Sequence, residues 1–362
     1  MAILNTLTIN SGSSSLKACL FSADKSRSDF RYDYTNQDAD SHQEAFQHLF
    51  DDLRMVIGDD KPAVVGHRFV HGGDITDQSR RVDKAERARL GGLIHLAPLH
   101  LPSNLLGLDL CLRYFDVPQI ACFDTAFHST MPALSRRLAI PSELGLHRFG
   151  FHGINYAHIA NTLPKILGDT AYKKVVVAHL GNGASLCLME NLKSVDTTMG
   201  YTPAGGITMG TRSGDLDPGV MLELSKRFDT NQLTDLVFHK MGLLALSNGE
   251  SADMKGLMTS QSEHAKFAVE YFCQQVRGAI GALAGKAGGI DALVFTAGIG
   301  EHSPEIREKI CMPLSFLGFD LDVKLNQSKS TRIEKFGHKP ILVITADEEM
   351  KIRDLCEADS KT

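Results

Sequence analysis

Apolar residues along this chain follow two rhythms. Short runs rich in Val, Ile and Leu, bounded by Gly, Asn or Ser, read as strands: "LTIN" ending at Asn10, "AVVGHRFVHGG", "PQIACFDTAF", "KKVVVAHLGNGAS", "ALVFTAGIGE" and "PILVITADEE". Between them lie stretches of helical character at 43–57, 103–115, 219–240 and 263–287, the last with Phe267, Phe272, Val276, Ile280 and Leu283 at helical spacing. Strands alternating with helices predict an α/β architecture. The runs end abruptly in polar or glycine-rich loops, and the downstream ends of strands are where such sheets hold ligands.

Two of these segments echo each other. "INSGSSSLKACLF" and "HLGNGASLCLME" each read as strand, Gly-Ser or Gly-Asn turn, then an alternating strand, about half a chain apart. Two copies of one hairpin suggest two related domains facing each other across a cleft. The competing explanation is that β-hairpins in general use Gly, Asn and Ser in their turns. The boundary near 123–126 rests on this repeat, since no Pro- or Ser-rich linker separates the halves. The expected domains are 1–125 and 126–348, with a C-terminal helix over 349–362 packing back on the first.

Composition narrows the picture without changing it. A length of 362 residues suits two domains, each with its own core, and 43% hydrophobic with 22% charged residues is an ordinary globular balance. No apolar run approaches the roughly 20 residues that cross a bilayer, and the N-terminal segment lacks the features of a secretion signal. A cytoplasmic location is expected. The seven cysteines, at 19, 111, 122, 187, 273, 311 and 356, are scattered and form no C-x-x-C pair, so they read as core residues. A net charge of −5 argues against nucleic-acid binding. An anion would have to be held by a few local cations.

Glycine-rich turns after strands can present backbone N–H groups to phosphate, and hydroxyls add donors. No G-x-x-x-x-G-K-[ST] occurs, and "GALAGKAG" at 281–288 has the wrong spacing, with Ala287 where a Mg²⁺-binding hydroxyl would be needed. Neither "GNGASL" nor "GIGEHS" completes G-x-G-x-x-G. Phosphate contact is therefore expected through hairpins.

A series of motifs carries a closer resemblance: "NSGSSSLK" (10–17), "GHRFVHGG" (66–73), "APLH" (97–100), "FDTAFH" (123–128), "RFGFHG" (148–153), "HLGNGAS" (179–185), "MGTRSGDLDP" (209–218), "FTAGIGE" (295–301) and "DEE" (347–349). In this order, over nearly the whole chain, they resemble the acetate kinase family. That family belongs to the acetate and sugar kinase, Hsp70 and actin superfamily. The resemblance implies two ribonuclease-H-like domains that clamp ATP, and a reversible, ATP-dependent phosphorylation of acetate to acetyl phosphate. It also implies a homodimer and Mg²⁺, with Mn²⁺ able to substitute.

Such a reaction sets its own demands. A small carboxylic acid, with a pKa near the about 4.3 of Glu, is already ionised at neutral pH, so no base is needed to activate it. The obstacle is repulsion between an anionic nucleophile and a polyphosphate. Catalysis then depends on positioning and charge neutralisation around an in-line transfer.

The resemblance assigns parts residue by residue. Arg68 would hold the substrate carboxylate and Arg212 would steady the transferring phosphoryl group, tasks that suit planar guanidinium. His152 would hydrogen-bond the phosphoryl group. Asp124 corresponds to the family's active-site acid/base; the ionisation argument favours electrostatic positioning instead, and capping of the following "TAFHS" is a structural alternative. Asn10 and Glu348 match magnesium-associated positions, and Glu348 could equally be a first-turn acid of a helix. Nucleotide contacts fall on Ser13, Ser15 and Lys17, on His179, Leu180, Gly181, Asn182 and Gly183, on Asp253, Met254 and Lys255, and on Gly298, Ile299, Gly300, Glu301 and His302. Val70, Leu99, Phe151 and Pro203 match the acyl pocket. Valine at 70 leaves room for a methyl more easily than for an ethyl, a distinction worth only about 1–3 kcal/mol.

The chain departs from the family pattern in places. The segment between the first hairpin and Arg68 is shorter than usual, Lys255 stands where arginine is common, and His302 replaces an asparagine after "GIGE". These touch base or ribose preference and leave the phosphate-facing residues intact. Propionate or another short-chain carboxylate is the alternative substrate. A catalytically weak nucleotide clamp of the actin or Hsp70 type would keep both hairpins but need neither the paired arginines nor an acyl pocket.

Overall fold

The structure, a computed structural model, describes residues 5–12, 15–24, 26–34, 39–58, 60–98 and 100–359. The chain divides into two compact units, one formed by 1–129, 151–158 and 347–362 and the other by 130–150 and 159–346. Each is built on its own sheet.

Unit 1 contains β1 (Thr6–Ser11), β2 (Ser15–Phe21), β3 (Arg27–Asp33), β4 (Val64–Phe69), β5 (Ser79–Arg81) and β6 (Gln119–Phe123). Their order across the sheet is β3-β2-β1-β4-β6-β5. β1, β2 and β3 pair antiparallel as a meander, whereas β1, β4 and β6 run parallel. Neighbouring residues of β4 serve opposite faces. Val65 joins Leu7, Ile9, Leu16 and Leu20 under Phe46, Leu49 and Phe50 of helix Ala39–Ile57, while Val64 packs with Ile120, Cys122, Ile154, Ile352 and Cys356. Burial on both faces is what β-branched runs in parallel strands require.

Gly66, also on β4, lies under helix Glu348–Asp359. A Cβ there would fall 2.5 Å from both Ile352 Cγ2 and Cys356 Sγ, so the close seat of that helix depends on the missing side chain.

Unit 2 repeats the plan. β7 (Val175–Leu180), β8 (Ala184–Glu190), β9 (Lys193–Thr197), β10 (Ala292–Thr296) and β11 (Ile341–Val343) are ordered β11-β10-β7-β8-β9. β7, β8 and β9 form an antiparallel meander and β7, β10 and β11 run parallel. Strand order and sense therefore match those of unit 1, with β7 in the place of β1 and β10 in the place of β4. The hairpin echo is a repeat of topology, and two such actin-like units make up the fold.

Helix Glu263–Ala287 supplies much of the unit 2 core, burying Phe272, Val276, Ile280 and Leu283, whereas Phe267 points outward and is exposed. Ser262 caps its start, and Gly288, at φ 69°, ends it. The 281–288 glycines thus belong to a helix end and not to a phosphate loop. The stretch 219–240 is two helices, Pro218–Arg227 and Thr230–His239. Asp229 accounts for the break, forming a reciprocal capping box with Gln232 that starts a new helix. All seven cysteines are buried, and none forms a disulfide among the described residues. Among the described residues, no helix is long and apolar enough to cross a membrane.

Candidate active site

In unit 1 the parallel strands deliver their downstream ends to one row. Ile9 pairs with His67 and Arg68 with Cys122, so Asn10, Arg68 and, just past β6, Asp124 come side by side. Glu348, the first residue of its helix, joins them. Arg68 donates from Nε and Nη2 to Asp124 Oδ2, at 3.0 and 2.6 Å, and from Nη1 to Asn10 Oδ1 at 3.1 Å. Asn10 Nδ2 donates to Glu348 Oε2 at 3.1 Å, and Arg68 Nη1 lies 3.5 Å from the same carboxylate oxygen. Lys17 stands directly across from Asn10 in the β1–β2 pair, and so leaves the same face of the sheet.

The electrostatics follow from burial. Asp124 is buried, and its Oδ2 takes both hydrogen bonds from Arg68. Desolvation raises its pKa above the usual carboxylate range and the charge of Glu348 adds to this, while Arg68 opposes both. Burial works against the Arg68 charge, but Asp124 and Glu348 outweigh it and hold the guanidinium protonated.

The remaining unit 1 residues surround this network. The Gly153 N–H donates to Asp124 O at 2.9 Å, and a Cβ on Gly153 would sit 2.0 Å from that oxygen. His152, immediately before it, adopts the left-handed region at φ 60°, a costly conformation for a non-glycine residue. Val70 and Phe151 are both buried, and His128 Nε2 donates to Phe151 O at 2.9 Å. The first hairpin is closed by Gly12 N–H to Ser15 O, at 3.0 Å. Ser13 and Leu99 lie outside the described residues.

Unit 2 gathers the proposed nucleotide segments around one glycine. The Gly210 N–H donates to Asn182 O at 3.0 Å, and a Cβ at Gly210 would lie 2.0 Å from Asn182 Oδ1 and 3.0 Å from Ala252 O. A Cβ on Gly181 would come 3.7 Å from the Cβ of Ala297, at the start of helix Ala297–His302. The hairpin at 179–183, the loop carrying Arg212, the 253–255 segment and the 298–302 segment therefore converge. Within them, Leu180 and Met254 are core side chains and offer a ligand only their backbone. The Asp253 carboxylate caps helix Met254–Thr259, while Asn182, Lys255 and His302 are exposed.

Arg212 is held differently from Arg68. Its Nη1 donates to Pro203 O at 2.7 Å, which joins the arginine to a residue expected in the acyl pocket. Among the described residues no carboxylate pairs with it, and burial lowers its pKa to about 10. It remains a cation at neutral pH, with an unmet need for negative charge. Its loop is fixed by Gly242, at φ 65°, where a Cβ would lie 2.2 Å from Met209 O and 2.7 Å from Arg212 O.

Two supporting residues escaped the sequence reading. Asn104, in helix Leu101–Tyr114, accepts from the Val70 N–H and donates to Ser11 O. Arg148 Nη1 donates to the carbonyls of Thr197, Thr198 and Met199, steadying the chain that leads to Pro203. Only the polar character of Asn104 inside an otherwise apolar helical stretch could have flagged the first.

Known proteins match the chain over most of its length. The model of the acetokinase family matches residues 28–354. An acetate kinase of Rhodopseudomonas palustris is 43% identical over 307 residues, covering 83% of this chain and 77% of that protein. The crystal structure of a propionate kinase from Francisella tularensis superposes with a TM-score of 0.87 at 31% identity, covering 97% of this chain and 98% of the other. That of acetate kinase from Entamoeba histolytica gives 0.86 at 30% identity, over 98% and 99%. With the family matched across most of its length, over a repeated actin-like topology, this chain belongs to the acetokinase family.

Proposed function

We propose that the protein transfers the terminal phosphoryl group of ATP to acetate, reversibly, giving acetyl phosphate and ADP. An acetate oxygen forms the new bond to phosphorus as the bond to the β-phosphate oxygen breaks. No proton changes hands, so the chain's task is to offset negative charge. The observation that carries this reading is the Arg68 network. Three of the five N–H groups of the Arg68 guanidinium hydrogen-bond Asp124 and Asn10, and Glu348 lies 3.5 Å from Nη1, so its orientation is fixed from behind and a substrate carboxylate would take the remaining donors.

In this reading Asp124 is an electrostatic positioner of Arg68. Arg212 and His152 are assigned to the phosphoryl group, and Val70, Leu99, Phe151 and Pro203 to the acetate methyl, as the family resemblance implies. The nucleotide binds along 179–183, 253–255 and 298–302, with Ser13, Ser15 and Lys17 contributing phosphate donors. Asn10 and Glu348 would hold Mg²⁺, or Mn²⁺ in its place. The residue types suit this, an amide and a carboxylate being hard-oxygen ligands, with Asn10 Oδ1 exchanging its hydrogen bond from Arg68 for the ion; Mg²⁺ commonly takes one or two carboxylates and completes its shell with water and phosphate. When bound, the ion would neutralise charge on the phosphates. We extend the reading to a cytoplasmic homodimer, in keeping with the family resemblance.

The resemblance to a propionate kinase structure makes propionate the second reading. Trapping acyl phosphate with hydroxylamine, across acetate, propionate and butyrate, separates the two. Acetate should give the largest kcat/KM. No product with any carboxylate, alongside tight ATP binding, would point to a nucleotide clamp instead.

A further inference from the structure

Helix Leu101–Tyr114 carries a buried amide, Asn104, at 3% exposure. Its Oδ1 accepts the Val70 N–H at 3.1 Å and its Nδ2 donates to Ser11 O at 2.8 Å. Val70 lies just past β4, two residues after Arg68. Ser11 is the last residue of β1, one after Asn10. One side chain therefore joins the backbone of the expected acyl wall to that of the expected phosphate hairpin.

The seat around this amide is tight. Ser11 Oγ also donates to Ser103 O at 3.4 Å, and a Cβ on Gly107 would lie 2.8 Å from the Phe46 ring and 3.5 Å from Ser11 Cβ. The helix thus lies against Ser11 with little room to shift. Loss of the Asn104 amide would leave a buried N–H and a buried carbonyl without their partners. The segment carrying Val70 would then be free to move relative to Asn10 and Arg68.

We propose that Asn104 is a positioning residue that sets acyl-chain selectivity, by fixing Val70 against the hairpin that binds phosphate. This rests on the functional reading above. A pocket that separates substrates differing by one methylene by roughly 10–200-fold does so through small distances. Asn104 governs one of them without touching substrate.

The test uses the full chain in the hydroxylamine assay, with acetate, propionate and ATP varied separately and folding followed by circular dichroism. Asn104→Ala, which loses both hydrogen bonds, should raise the acetate KM about tenfold through the displaced Val70 segment, with a smaller change in kcat. It should also lower the acetate-over-propionate ratio of kcat/KM at least about threefold. Asn104→Asp keeps an acceptor for Val70 but loses the donor to Ser11, so it should retain the acyl ratio and show its loss in the KM for ATP. A folded Asn104→Ala protein with wild-type acetate KM and wild-type ratio overturns the proposal. So do Ala and Asp variants that differ from wild type only in thermal midpoint. If Asn104→Ala does not fold, Asn104→Ser carries the same prediction, since its short hydroxyl cannot span both partners. A wild-type chain that makes no acyl phosphate overturns the parent reading, and this inference with it.

Discussion

Arg68 and Arg212 carry the same charge in opposite settings. Arg68 is neutralised by Asp124 and Glu348, whereas Arg212 is desolvated and, among the described residues, bonds only a carbonyl. Adding a phosphoryl group should therefore benefit Arg212 more. Arg212→Ala is expected to lower kcat by about 10³–10⁵ with the fold and ATP binding retained, while Arg68→Ala should chiefly raise the acetate KM. A loss below tenfold in kcat for Arg212→Ala would remove it from the transition state. His67 gives a prediction on stability. It is buried against Gln119, with Nε2 to Oε1 at 2.7 Å, and burial lowers its pKa from 6.5 to about 4. Between these values the unfolded chain binds the extra proton, so this contribution is complete above pH 6.5 and is lost as pH falls toward 4. Denaturant unfolding should cost about 2 kcal/mol less at pH 5 than at pH 7 on this account, and His67→Gln should flatten the difference. An unchanged slope in the variant would refute the assignment. Sequence marked Arg68, Asp124 and Arg212 as site candidates. It gave no sign that Asp124 would spend one oxygen on two hydrogen bonds from Arg68, because that depends on the packing around it.

Among elements, the strand ends were the most legible, since apolar runs break beside the members of the Arg68 network: Asn10, Arg68 just before Phe69, and Asp124 after Phe123. The helices were harder. The apolar spacing over 219–240 continues across Phe228, and only the capping role of Asp229 divides it. The seat of helix Glu348–Asp359 on Gly66 is a pairing between distant segments that no local pattern encodes. It has a measurable consequence. Gly66→Ala forces a methyl into contact with Ile352 and Cys356, and should destabilise unit 1 by about 1–3 kcal/mol. Because Glu348 begins that helix and bonds Asn10, the variant should also require more Mg²⁺ for half-maximal activity. A variant with wild-type stability and Mg²⁺ dependence would mean that the helix adjusts freely.

At the scale of the whole molecule, the hairpin echo was readable and its extent was not. Two similar turns announce a repeat, but the shared order of five strands rests on crossovers whose partners lie far apart in the sequence. The expected boundary at 125/126 also differs from the observed division, in which 151–158 returns to unit 1 after a passage through unit 2. Ile154 explains the return: it packs with Val64, Ile120 and Ile352.

Unit 2 is nested within the sequence span of unit 1, and this orders events during translation. A nascent chain that has reached Ala346 holds all of unit 2 but lacks the helix that covers Gly66, Val64 and Cys122. On the ribosome, then, the later-starting unit can mature first while the earlier one waits, with one sheet face bare and open to chaperones. A chain ending at Ala346, treated briefly with protease, should leave a resistant fragment from unit 2 and lose its first hundred residues. Equal resistance of both units would show that the host needs no closing segment.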